Sequence, residues 1–397
     1  VKEAFGELSV PIVKDRPFLN ELEVDGAARI SNYNLGTTGS VWAWNATAIY
    51  SPIRGLRFRG NIARAVRAPN QSELYTPFGT NYALVTDPCD AIAIQTGSQY
   101  RAANCLAAGV PAGTRIQYLS SLQFLQGGNM DLKAETSKSY TFGGVATPAF
   151  LPGFSASVDY YNIKVANAIE YLSAQGILNE CYDLPTLNNA YCALFTRAQG
   201  SQLGHSGLQY GILDNTLHVE PYNYAKLRAR GIDTEIAYRH QLGQVGRLDT
   251  RLTWTHVLER TDFTSIGDPN FGNRLLSTLG NPQDAFNWNT SLQHGRFTFG
   301  YQMRYIGRMT TAAYEDFFQF EGRPPQDPNI NDKVWYPAEI YHDVRLGIDV
   351  GPKFNFYMGI DNLTDVQPPY GLSGIGGGSA IYDAIGRFYY AGVVAKF

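Results

Sequence analysis

This sequence of 397 residues is poor in charged residues and lacks long apolar runs. Asp, Glu, Lys and Arg make up 17% of it, against about 25% in a typical soluble domain. No apolar run approaches the roughly 18 residues of a membrane helix, so any membrane span must be made of strands. The net charge of −3 gives no electrostatic reason to expect a nucleic-acid partner. The abundant residues, 26 Tyr and 40 Gly, suit a β-barrel with aromatic girdles and polar loops.

The sequence also lacks a constellation of residues that would carry catalysis or bind a metal. Its six histidines stand singly, with no His-x-His or His-Glu-x-x-His pattern. Asp262, Asp268 and Asp284 are too loosely spaced for a calcium-binding loop. We therefore predict no metal site, no cofactor and no enzyme activity.

Cysteine is scarce, and the four residues present fall into two local pairs, Cys89 with Cys105 and Cys181 with Cys192. An even count, short separations and the absence of Cys-x-x-C predict two disulfides and an oxidising compartment. The alternative is four free buried thiols.

The carboxyl-terminal residues form the clearest strand pattern. Tyr389, Ala391, Val393, Ala395 and Phe397 alternate with their neighbours and would share one face of a strand. The same alternation recurs along the chain, with one face apolar and the other collecting the charges. This pattern predicts an all-β fold, a transmembrane antiparallel β-barrel, with Tyr389, Val393 and Phe397 as its carboxyl-terminal assembly signal.

The connections between the predicted strands alternate between short turns and long loops. Short and long connections on opposite rims are the organisation of a bacterial outer-membrane barrel. The expected long outer loops are 67–138, 168–221, 263–282, 308–339 and 363–386, with one brief exception at 34–40.

The count of strands is about 13. Because a single-chain bacterial barrel is expected to have an even number of strands, we expect the chain to be the carboxyl-terminal part of a larger barrel. The strands near Glu3–Val10 and Phe388–Phe397 would then pair with strands outside this sequence. We also expect residue 1 not to be the start of the gene product, since a protein of this type has to cross the inner membrane.

Four segments in order resemble the TonB-dependent receptor family. Residues 64–75 resemble its R-A-P…E-L-Y segment, and 129–140 its N-P-x-L-x-P-E-x-S segment, with Met130 and Ala134 where the family commonly has proline. Residues 222–235 resemble its N…G-x-E segment, and 359–365 with 382–388 its N-L-x-D…G-R-x-F ending.

The resemblance implies a 22-stranded barrel in the bacterial outer membrane, completed by an amino-terminal plug and the first strands on a separate chain or a missing part. It also implies a nutrient imported with energy from TonB-ExbB-ExbD. A passive porin or surface-binding barrel is the alternative.

Aromatic residues of the predicted loops are the candidate ligand-binding residues. They are Tyr75, Tyr82, Tyr118, Phe317, Phe318, Trp335 and Tyr336. Aromatic faces beside amides and carboxylates suit sugar rings, and clusters of Lys or Arg are inconspicuous in these loops. We therefore favour an oligosaccharide over an iron-siderophore complex, while packing of the loops against one another is the alternative role for the aromatics.

Overall fold

The structure is a computed structural model, and it describes residues 1–34, 36–265, 270–369 and 381–396. Its main feature is one antiparallel sheet containing thirteen long strands within those ranges. These strands are β1 (Lys2–Arg16), β2 (Leu19–Tyr33), β3 (Gly39–Ile53), β4 (Leu56–Arg67), β5 (Glu135–Ala146), β6 (Phe154–Tyr171), β7 (Pro221–Gln241), β8 (Arg247–Phe263), β9 (Asp284–His294), β10 (Phe297–Ile306), β11 (Glu339–Val350), β12 (Phe354–Asp361) and β13 (Phe388–Ala395). A further two-residue strand, Asn273–Arg274, pairs with β8.

The strands lie in the sheet in the order of the chain, each paired with the one before it. In the part of the chain that is described, β1 and β13 are the two edges of the sheet and do not pair with each other. The all-β prediction is therefore confirmed, and the sheet is a partial, open barrel with the thirteen strands that alternation predicted.

The two faces of the sheet differ as period-2 alternation requires. One face carries ion pairs between strands: Arg251 and Glu235 pair across adjacent strands at 2.8 Å, and Arg59 of β4 pairs with Asp159 of β6, across β5, at 2.6 Å. The other face carries large exposed apolar side chains, including Phe142 and Met358, whose exposed fractions are 62% and 60%. Such a surface is unfavourable in water and is that of a sheet facing lipid.

The short turns lie on one rim and the long connections on the other, with one exception: the connection between β2 and β3 is brief and lies on the rim of the long connections. The short connections are 17–18, 54–55, 147–153, 242–246, 295–296 and 351–353, and the long ones are 68–134, 172–220, 264–283, 307–338 and 362–387. In the turn at 54–55, Gly55 has φ +83°, and a Cβ there would lie 2.3 Å from the carbonyl oxygen of Thr147. Only glycine fits this turn.

Helices occur in the long connections. They are α1 (Gln71–Tyr75), α2 (Arg101–Ala107), α3 (Ala174–Asp183) and α4 (Tyr314–Phe317), with 3-10 turns at Ala93–Thr96, Cys192–Leu194, His205–Gly207 and, in a short turn, Gly243–Val245. Among the described residues, none of the helices is long and apolar enough to cross a membrane.

The buried apolar cores lie in the loops and at the loop end of the strands. The largest belongs to the connections 68–134 and 172–220 and includes Ile116, Leu122, Ile177, Leu178 and Leu217. A smaller core joins Ile306, Met309, Tyr341 and Tyr382. The long connections are therefore folded structures with their own cores.

At the carboxyl terminus, Tyr389 and Val393 lie on β13 with their side chains 65% and 55% exposed on the apolar face. Phe397, the third residue of the predicted assembly signal, lies outside the described residues.

Candidate functional site in the long connections

Two neighbouring long connections fold together into one disulfide-bonded body. We call it the paired-loop unit and define it as residues 79–126 and 172–219. Both predicted disulfides are present, Cys89–Cys105 and Cys181–Cys192. Each closes a segment within its own connection, so other contacts must hold the two connections together.

A small sheet is the first of those contacts. The strands Gly79–Ala83 and Leu122–Gln126 pair antiparallel within the first connection. The strand His218–Val219 of the second connection then pairs parallel with Leu122–Gln126. This sheet joins segments that are about 90 residues apart in the chain.

A buried ion pair is the second contact. The guanidinium of Arg197 donates to both carboxylate oxygens of Asp87 at 2.9 and 3.0 Å, and the two side chains are 4% and 0% exposed. Arg197 also donates to the Tyr182 hydroxyl at 2.8 Å, and the Tyr118 hydroxyl donates to Asp87 at 2.6 Å. Buried charges require such complete pairing, because either charge alone would carry a large desolvation penalty.

Tyr118 is thereby held within the paired-loop unit. Its hydroxyl donates to Asp87 and accepts from the backbone N–H of Ile212 at 2.9 Å. Burial, together with the negative charge of Asp87, raises the pKa of the Tyr118 hydroxyl well above its usual value. These two hydrogen bonds join Tyr118 to both connections of the paired-loop unit.

A third charged group, Asp90, stabilises the fold of the first connection. Burial opposes its ionisation, but its carboxylate accepts from the backbone N–H groups of Ile92 and Ile116 and from Arg115. These bonds outweigh burial and lower the pKa of Asp90 below its ordinary value.

The second assembly is a cluster of arginines stacked on aromatic rings, contributed by the connections 264–283 and 307–338. We call it the arginine–aromatic cluster. Its members are Phe271, Arg274, Arg308, Tyr314, Phe317, Phe318, Phe320, Arg323 and Trp335.

Contacts run through this cluster without a break. Arg274 lies 4.3 Å from the ring centroid of Tyr314, whose ring centroid is 4.9 Å from that of Phe318. Phe318 is 5.5 Å from Trp335, over which Arg308 stacks at 4.3 Å. On the other side, Tyr314 contacts Phe320 at 6.3 Å, and Arg323 stacks on both Phe320 and Phe271.

The three arginines of this cluster form no ion pair with a carboxylate inside the described ranges. Arg308 is exposed, whereas Arg274 donates to the carbonyl of Leu276 and Arg323 to that of Gly272. The cluster therefore joins arginine guanidinium groups that have no ion-pair partner with aromatic faces, a combination that binds anionic or aromatic groups.

Four of the candidate residues lie in or beside this cluster. Phe318 and Trp335 are partly exposed members, while Phe317 is buried, 6.3 Å from Phe318. Tyr336 follows Trp335 and pairs with Met309, so it packs on the smaller core.

The other three candidates belong to a different part of the loop rim. Tyr75 ends α1 and accepts from the backbone N–H of residue 36 at 3.2 Å, while 43% of the residue is exposed. Tyr82 lies on the strand Gly79–Ala83 and is 62% exposed. Within the described part of the chain, Tyr75, Tyr82 and Tyr118 make no ring contact with the arginine–aromatic cluster.

The arginines of the cluster are the residues that sequence reasoning missed. They are 34 and 15 positions apart, at 274, 308 and 323, so no window of the sequence shows a basic cluster. The tertiary fold alone brings them onto one set of rings. Within the described chain, no three His, Cys, Asp or Glu side chains gather as a metal site would require.

The family model described as "TonB dependent receptor-like, beta-barrel" matches residues 3–363. The chain belongs to this family of receptors. Members of this family are outer-membrane transporters, not enzymes. The open sheet, its exposed apolar face and its rim of long loops agree with a barrel in that membrane.

Solved structures with this fold include three iron-uptake proteins. The ferric enterobactin receptor of Pseudomonas aeruginosa, in a single-site mutant form, aligns with TM-score 0.61 and 17% identity over 100% of this chain and 44% of its own. The siderophore receptor of Acinetobacter baumannii aligns with TM-score 0.60 and 15% identity, over 100% of this chain and 45% of its own. The iron transporter of Neisseria meningitidis aligns with TM-score 0.52 and 13% identity, over 100% of this chain and 45% of its own.

At these identities the likeness shows the fold. The chain spans less than half the length of these receptors. A search among curated protein sequences returns no match.

Proposed function

We propose that this chain is part of a TonB-energised receptor that binds an anionic, aromatic iron chelate at its outer loops and imports it into the periplasm. The arginine–aromatic cluster is the observation that carries the proposal. Three arginines stack on a continuous set of rings and lack carboxylate partners among the described residues. A catecholate-type chelate offers both the negative charge and the aromatic faces that such a cluster binds.

The names of the similar structures support the same ligand class. They are a ferric enterobactin receptor, a siderophore receptor and an iron transporter. An oligosaccharide, which the sequence favoured, gains no support from these relatives. It is the second candidate because Trp335 and Phe318 are partly exposed rings, and aromatic faces also stack on sugars.

Within this proposal, Phe318, Trp335 and Arg308 contact the ligand directly. The exposed Tyr75 and Tyr82 are further ligand contacts on the neighbouring part of the rim. Phe317, Tyr118 and Tyr336 support the loops by packing.

The proposal includes partners for the chain. An amino-terminal plug with the first nine strands completes a 22-stranded barrel by pairing with β1 and β13. TonB-ExbB-ExbD supplies the energy through that amino-terminal part. A passive porin would need neither partner.

Binding by the purified receptor that carries this chain tests the ligand class. Titration calorimetry in neutral detergent compares ferric enterobactin with a neutral malto-oligosaccharide. We expect binding of the ferric catecholate, and a loss of about tenfold in Arg308→Gln, since a hydrogen bond to a charged group contributes roughly 1.5–3 kcal/mol. Arg54→Gln, on the short-turn rim, is the matched control and should bind as the parent does.

Two results would overturn the proposed ligand. One is binding of the oligosaccharide alone, with Trp335→Ala weakening it and Arg308→Gln leaving it unchanged. The other is equal binding of the ferric catecholate by the Arg308→Gln and parent receptors. Uptake that continues after the inner-membrane proton gradient is collapsed would identify a passive channel instead.

A further inference from the structure

Four basic residues form a lateral row across β4, β5, β6 and β7. Arg64 is directly opposite Lys138, Lys138 is opposite Lys164, and Lys164 is opposite Arg228. Residues directly opposed in antiparallel strands present their side chains on the same face. We call these four residues the basic row. With strands about 4.8 Å apart, it spans roughly 15 Å around the barrel.

The basic row lies on the apolar face of the sheet. Along β5, Lys138 is followed on the same face by Tyr140 and Phe142, and along β7 Arg228 shares its face with Ile232. The ion pair of Arg59 with Asp159 lies on the opposite face of these strands, while Arg230, on the face of the row, is paired with Glu259. The row therefore faces away from the barrel interior, toward the surrounding membrane.

Its depth corresponds to the outer boundary of the hydrocarbon. Leu56 and Arg64 are eight positions apart along β4, roughly 27 Å of strand and about 20 Å of depth at a tilt of about 40°. Arg64 is at the end of β4 that enters the long connection 68–134. The rings of Tyr140 and Tyr160, 6.2 Å apart, lie just below the row, where an aromatic girdle is expected.

The charges of the row are not neutralised within the described chain. Lys138, Lys164 and Arg228 are exposed and Arg64 is half-buried. None of the four forms an ion pair with a described carboxylate; Arg228 stacks on the ring of Phe263 at 4.6 Å. Like charges directly opposite one another destabilise a sheet, so this arrangement favours an external anion.

An apolar groove lies below the row on the same four strands. Its volume is about 420 Å³, and its lining includes Phe58, Phe142, Val158, Tyr160 and Ile232. Phe142 is four positions from Lys138, or roughly 14 Å along β5. A basic row above an apolar groove matches a molecule with an anionic head and hydrocarbon chains.

We propose that the basic row binds the phosphate-bearing headgroup of an outer-leaflet lipid, whose acyl chains lie along this groove. The phosphate oxygens accept from the lysine ammonium groups and the arginine guanidinium groups. The site is on the lipid-facing surface and is independent of the nutrient site in the loops.

Binding of a phosphorylated lipid A to the receptor that carries this chain, purified in neutral detergent, tests this proposal. The test variant combines Arg64→Gln, Lys138→Gln, Lys164→Gln and Arg228→Gln. We expect native mass spectrometry and titration to show at least about tenfold weaker binding, since each basic group near a lipid surface contributes appreciably. Removing the phosphates from the lipid should weaken binding to the parent receptor equally.

The matched control also neutralises two arginines and two lysines, at the opposite rim. It combines Lys14→Gln, Arg16→Gln, Arg54→Gln and Lys353→Gln and should bind the lipid as the parent does. Heat-modifiable migration verifies that each variant is folded. If the fourfold variant does not fold, the double variant Lys138→Gln with Lys164→Gln, both exposed, takes its place.

Three outcomes would overturn the proposal. The first is equal weakening by the control set, which would indicate a general charge effect. The second is undiminished binding of the lipid without its phosphates. The third is inorganic phosphate that displaces the lipid at equal concentration, which would assign the row to the free anion.

Discussion

At the scale of single residues, Leu346 and Arg345 are neighbours in β11 with opposite surroundings. Leu346 is opposite Met358 and Phe299 on the apolar face. Arg345 lies on the polar face, with its guanidinium 4.2 Å from the ring centroid of Tyr357. Adjacent positions thus provide a matched pair of substitutions.

We expect Leu346→Arg to cost roughly 2–4 kcal/mol, because it places a charge against lipid near the midplane, and Arg345→Leu to cost little. Heat-modifiable migration and the yield of folded receptor measure both variants. Equal loss from the two substitutions would contradict the assignment of faces.

Another prediction at this scale concerns Asp90. Its pKa is lowered below the ordinary value of 3.8, so its stabilising bonds are fully present above that value. They are lost as pH falls through the lower, folded-state pKa. Hydrogen exchange at Ile92 and Ile116, corrected for intrinsic rates, should therefore accelerate as the pH falls below about 4.

Asp90→Asn is the control for this pH dependence, since the amide does not titrate in that range. The Asn side chain keeps one acceptor oxygen but has no acid to titrate, so exchange at both amides should not change on acidification. A parent protein whose exchange does not change on acidification would refute the assigned role of Asp90.

At the scale of structural elements, we predict that the barrel sheet does not need the disulfides to remain folded. Cys89 and Cys105 are 16 positions apart, and closing such a loop contributes on the order of 3 kcal/mol. This free energy stabilises the paired-loop unit, which has its own core. Reduction should therefore expose the paired-loop unit to proteolysis while heat-modifiable migration is retained. Simultaneous loss of both would mean that the barrel depends on the disulfides.

The strands could be predicted from sequence because each face has a uniform environment along its whole length. The alternation of apolar and polar residues in β10 and β11 indicates lipid on one face and water on the other. The local disulfides were predictable for a similar reason, since their separations are short. Pro11 lies within β1, which continues to Arg16, and the register shifts by a bulge between Pro11 and Val13.

The contacts between distant segments could not be predicted in the same way. Asp87 and Arg197 are 110 positions apart, and nothing near either residue identifies its partner. The three arginines of the cluster are likewise scattered through two connections. The basic row depends on the register of four strands, which alternation within a single strand does not determine.

At the scale of the whole molecule, the open edges β1 and β13 predict a completing partner. In hydrocarbon, an unpaired edge leaves a row of backbone N–H and C=O groups unsatisfied, at several kcal/mol each. In the membrane-inserted receptor, the amides of β1 that point away from β2 should therefore be protected from hydrogen exchange. Rapid exchange of these amides, or a cross-link formed between cysteines at Leu8 and Val393, would refute pairing with strands outside this sequence.

The joining of two connections by Asp87 and Arg197 also constrains how receptors of this kind can exchange surface loops. A transplant of residues 68–134 alone would carry Asp87 into a barrel without Arg197, leaving a buried charge unpaired at a cost of several kcal/mol. The connection 172–220 has to travel with it. Recombination and loop grafting should therefore succeed with the two segments as one inherited unit, while exposed positions without a proposed role, such as Leu84, are free to vary one at a time.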